Sequence, residues 1–157
     1  MKINNRSTGA LSAVLFIVDI LVFLPPFLIK AGYFKEAELV YLFFSPFCHQ
    51  LAERSFHIFG AQLALCARCT GIWAGLLLGT LFFIFLKPEI SSWLLLPVLV
   101  MIIDGIFNTI SGFSTPAFLR FFFGAGFGFS GGWILARGFY ELEENLKREK
   151  WKTKSTI

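Results

Sequence analysis

"TGIWAGLLLGTLFFIFL", residues Thr70 to Leu86, is the stretch whose reading decides the fold. It is apolar from end to end and close to the roughly 20 residues a helix needs to cross a bilayer. Gly71, Gly75 and Gly79 recur every fourth residue within it, the spacing that lets helix backbones approach closely in lipid. Three more runs of this kind flank it: "ALSAVLFIVDILVFLPPFLI" (10–29), "SWLLLPVLVMIIDGIFNTIS" (92–111) and "AFLRFFFGAGFGFSGGWILARG" (117–138). The last repeats the glycine ladder at Gly124, Gly128 and Gly132. Composition agrees. Of 157 residues, 56% are hydrophobic, 21 are Phe, and the mean hydropathy is +0.71. A soluble domain of this size cannot bury that much apolar surface and stay wettable. The expected fold is therefore all-α: a polytopic membrane protein with four transmembrane helices in a single domain.

The first run follows Lys2 and Arg6, as a signal peptide would. Its apolar core is too long and no A-x-A site follows it, so it reads as a span. Pro25, Pro26 and Pro97 are expected to bend or end helix locally. Residues 34–69 differ from the spans. "AELVYLFFSPF" is apolar but only 11 residues long, which suits a re-entrant or interfacial helical segment between the first and second spans. The polar window after it is expected to be a helical excursion.

Net charge is +4, with basic residues heaviest near the C-terminus. The dominance of apolar runs argues against nucleic acid, and the charge reports topology instead. An N-terminus inside the cell puts Lys2, Arg6, Lys87, Arg137 and the tail (141–157) on the cytoplasmic side. Both termini are then cytoplasmic, and the expected location is a bacterial or archaeal plasma membrane. The tail's Glu143–Lys147 and Glu144–Arg148 pairs fit a solvated helix extending the last span.

Every cysteine and histidine lies in "FCHQLAERSFHIFGAQLALCARCTG", residues 47–71. Cys66 and Cys69 form a C-x-x-C pair whose sulfurs can reach one ion. Zinc in structural sites wants four tetrahedral ligands. Cys48 is the natural third, and His49 is preferred over His57 as the fourth because it arrives with Cys48. Zinc or another thiophilic metal is the expected cofactor. A second reading is thiol redox chemistry at Cys66 and Cys69, since Arg68 and the start of a helix both favour thiolate.

Charges inside spans are costly and usually face a partner in the bundle. Asp19 lies mid-way along the first span. Asp104, Asn108 and Ser111 share one face of the third, and Arg120 sits near the start of the fourth at the same depth. Asp104 is expected to face the bundle interior, with Arg120 close enough to interact with it directly or through a bound anion or water. Arg54, His57, Arg68, Asp104, Asn108 and Arg120 together outline a polar pocket, with guanidiniums suited to phosphate or carboxylate. A third reading is thus a small transporter or a lipid- or anion-binding module. The expected partners are the bilayer and a lipid headgroup or small anion, with room for a homo-oligomer. No nucleophile–base–oxyanion set can be read, so no enzymatic activity is claimed.

"FCHQ…ERSF…G…LCARCTGI…G", then "DG…N" and "R…G…G", resembles a family of small bacterial and archaeal predicted membrane proteins of unknown function. The resemblance covers roughly residues 47–132. By position it picks out Cys48, His49, Gln50, Arg54, Cys66, Arg68, Cys69, Thr70, Gly71, Asp104, Gly105 and Asn108. It implies a shared site in this window and brings no established activity.

Overall fold

A computed structural model describes residues 6–86, 92–111 and 115–155. Among the described residues there are five α-helices: α1 (Arg6–Lys30), α2 (Phe34–Phe44), α3 (Ala67–Leu86), α4 (Leu95–Ser111) and α5 (Ala117–Ser155). Four of them, all but the 11-residue α2, are long and apolar enough to cross a membrane. A two-stranded antiparallel hairpin, β1 (His57–Ile58) and β2 (Ala61–Gln62), lies between α2 and α3.

The two glycine ladders interlock, and this contact is the spine of the bundle. A Cβ added at Gly71, Gly75 or Gly79 would lie 2.1–2.2 Å from the carbonyl oxygens of Phe121, Ala125 and Phe129. Reciprocally, Gly124, Gly128 and Gly132 sit against the carbonyls of Arg68, Ile72 and Leu76. Both series ascend together, so α3 and α5 run parallel and start at the same end. Without side chains between them, the backbones gain dispersion and Cα–H···O contacts that lipid cannot replace.

The other helices clothe this pair. Ser12 of α1 donates to Thr80 of α3, while Ser7 at its start donates to Glu143 of α5 at 2.5 Å. The start of α1 and the C-terminal half of α5 therefore share one end. At about 1.5 Å per residue α5 is roughly 58 Å long, so it outruns the ~30 Å hydrocarbon layer. On α4, Asp104 turns inward while Ile102, Ile103, Ile106 and Ile110 remain exposed, as a lipid-facing surface requires.

Of the two effects expected of the prolines, bending or ending helix, Pro25 and Pro26 do not end it. Pro25 and Pro26 are buried inside α1, which continues to Lys30. Lacking an N–H, Pro26 leaves the Val22 carbonyl without its helical donor. The backbone N–H of Ala64 fills that vacancy at 3.1 Å, pinning the segment before α3 onto α1. Pro97 sits in the first turn of α4, where its missing N–H has no intrahelical partner to lose.

The polar window is not one helix. After α2 it makes a turn, a short 3₁₀ segment (Ala52–Arg54) and the hairpin. Gln50 and Phe59 adopt positive φ (51° and 54°), and Gly60 turns the hairpin at φ 79°. Helix would have carried Cys48 away from Cys66 and Cys69, whereas these reversals fold the chain back. A cluster of Val22, Phe44, Cys48, Ala64 and Leu65 seals the loop onto α1 and α2.

Candidate metal centre

The folded loop brings three thiols together. The sulfurs of Cys48, Cys66 and Cys69 all lie within 4.8 Å of one another, from a turn after α2, the residue before α3 and the first turn of α3. Three sulfurs on one zinc at about 2.3 Å would stand about 3.8 Å apart in a tetrahedral shell, a spacing that falls inside this limit. No disulfide joins any of them.

The backbone is arranged to favour charge on Cys48. The N–H groups of Gln50 and Cys66 point at its sulfur from 3.4 and 3.3 Å. Hydrogen bonding from the Cys66 thiol and then the Cys69 thiol holds Cys48 far below the ordinary thiol range, and Cys66 is raised in return.

Gln50 holds this geometry. Its side-chain amide donates to the carbonyls of Tyr41 (2.8 Å) and Ala64 (2.9 Å), and its own carbonyl accepts from Gln62. Tyr41 donates to the Gln62 carbonyl at 2.5 Å. The end of α2, the thiol loop and the hairpin are thereby one hydrogen-bonded unit.

His49, the expected fourth ligand, is exposed and is not among the groups in the thiol cluster. It lines the cavity beside the cluster instead. His57 sits exposed on β1, away from that cavity. The cavity holds about 370 Å³ and reaches all three cysteines, Arg54, Arg68 and Arg120, with Phe47 and Leu51 at its edge.

The polar residues of the spans stand behind it. Asp104 forms an ion pair with Arg68, and Arg120, the partner expected from the sequence, lies near enough to interact with Asp104 electrostatically. Arg68 lies one residue before Cys69 on α3, so the glycine interlock delivers it to α4's inner face, while Arg120 donates to Asn108 at 3.0 Å. Asn108 donates to Asp104 at 2.8 Å, so both arginines enter one network. Asp19 lies elsewhere, in an apolar groove with Phe16, Phe23 and Leu77.

Sequence reasoning missed Thr115. Its hydroxyl donates to Asp104 at 2.7 Å, and its backbone N–H donates to Asn108 at 3.0 Å. The signal was present, because Thr115-Pro116 directly before an apolar run is a helix-start pattern.

The uncharacterised protein MJ1492 of Methanocaldococcus jannaschii is 33% identical over 132 residues, covering 77% of this chain and 85% of its own. No solved structure matches. Residues 48–134, from the first cysteine to the end of the glycine interlock, match the family described as predicted membrane protein (DUF2085), and the chain belongs to that family.

Proposed function

We propose that this is a membrane-embedded metal-binding protein in which Cys48, Cys66 and Cys69 hold one thiophilic ion, zinc above others. The observation that carries the reading is the convergence of three sulfurs from separate elements within 4.8 Å. The supporting detail is the pair of backbone N–H groups aimed at Cys48, since donors to sulfur stabilise the thiolate a metal needs. A bound ion would tie the loop to the head of α3.

Elemental analysis of purified protein tests this. About one zinc, or another thiophilic ion, per chain is expected, and Cys66→Ser and Cys69→Ser should each abolish it. Metal-free protein carrying a Cys66–Cys69 disulfide would replace the reading with thiol redox chemistry.

A further inference from the structure

The thiol cluster supplies three ligands, and zinc completes a shell of four. Among the described residues no further His, Cys, Asp or Glu joins it. What adjoins the sulfurs is the cavity, and its charged walls are guanidiniums. Arg68 is fixed by Asp104 and Arg120 by Asn108, so neither has to be ordered when a ligand arrives. The buried Nε of Arg68 has no hydrogen-bond partner. Arg54 is about half exposed, with the solvent-facing Glu53 at 3.8 Å.

Charge points the same way. Three thiolates around a divalent ion carry one net negative charge, and Asp104 adds another. Three guanidiniums exceed these by one. The parallel starts of α3 and α5 at this end add positive potential. A bound anion closes the balance. Guanidinium forks match the oxygens of tetrahedral oxyanions. The volume, about 370 Å³, is at the small end for ligand sites and is ample for a phosphate with a small substituent. Exposed Phe47 and Leu51 at the edge would suit the apolar part of a lipid whose headgroup enters.

We propose that the cavity binds a phosphate-class oxyanion, one oxygen of which takes the fourth position on the ion held by Cys48, Cys66 and Cys69 while Arg54, Arg68 and Arg120 hold the others. This rests on the metal reading above and makes the centre an open, ligand-taking one instead of a closed structural one.

The test uses the full chain loaded with cobalt, whose absorption bands report changes at the metal. Metal content is measured on the same sample. Inorganic phosphate is added in detergent; separately, the protein is placed in nanodiscs of phosphatidylcholine with and without phosphatidic acid. A saturable band shift with phosphate supports the inference with a soluble ligand. A shift only in discs containing phosphatidic acid supports it with a lipid headgroup. Arg54→Gln, chosen because its exposed side chain holds no helix in place, should weaken binding about ten- to a hundredfold without changing metal content. One metal per chain with bands that neither ligand moves would overturn the inference and leave the metal centre standing. So would loss of metal in His49→Ala, because His49 would then close the shell, or binding undiminished in Arg54→Gln. A preparation that takes up no metal would refute the metal centre itself, and this inference with it.

Discussion

Gly75→Ala tests the spine of the bundle. The added methyl would stand 2.1 Å from the Ala125 carbonyl oxygen and 2.8 Å from the Phe129 nitrogen. Ordinary contact begins at 3.4 Å, so the first approach falls short by about 1.3 Å. The opposing atoms are helix backbone and cannot rotate aside. α3 and α5 must separate, and being rigid rods they loosen the neighbouring glycine contacts too. Overpacking costs about 1–3 kcal/mol and sometimes more, with this case at the upper end because backbone must move. Better helix propensity of Ala returns about 1 kcal/mol. Gly105→Ala is the control, since nothing lies within 4 Å of its added Cβ and only the propensity term remains. Thermal unfolding in detergent should show Gly75→Ala several degrees below wild type, at about 2–4 °C per kcal/mol, and Gly105→Ala equal or higher. Gly71→Ala and Gly124→Ala should also lower metal content, because those contacts set α3's first turn, with Arg68 and Cys69, against α5. A Gly75→Ala protein as stable as wild type, or a Gly105→Ala protein that loses as much, would refute the interlock.

Pro26→Ala restores a helical donor to the Val22 carbonyl, which then competes with Ala64; faster metal loss to a chelator is expected, with α1 helicity unchanged by circular dichroism. Asp104→Ala strands Arg68 and should cost about 3–5 kcal/mol in detergent unfolding, whereas adding Arg68→Met should recover part of it. Asp19→Leu should raise stability by about 1–3 kcal/mol, because one carboxyl oxygen of Asp19 is buried without a hydrogen-bond partner; a loss of stability on the same unfolding scale would show that Asp19 holds something. Cytoplasm-only reporters fused to either terminus should both be active, and activity from an external reporter at either end would overturn the assigned orientation.

The spans were legible in the sequence because membrane insertion depends on length and local hydropathy, and α1, α3, α4 and α5 each state both within one run. The glycine ladders were legible for the same reason, since a four-residue spacing is a property of one helix. Their mutual register was not. Which carbonyl meets which glycine depends on two segments about fifty residues apart, and that register is what pairs Arg68 with Asp104 and links Arg120 to Asn108. The cysteine window suggested a cluster of thiols by residue type alone. Its geometry needed the tertiary structure, because positive φ at Gln50, the Gln50 amide bonds and the Val22 carbonyl left open by Pro26 are invisible to periodicity. Adjacency in sequence suggested His49 as the fourth ligand. Neighbouring side chains diverge from the backbone, so the chain that brings Cys48 into the cluster places His49 along the cavity beside it.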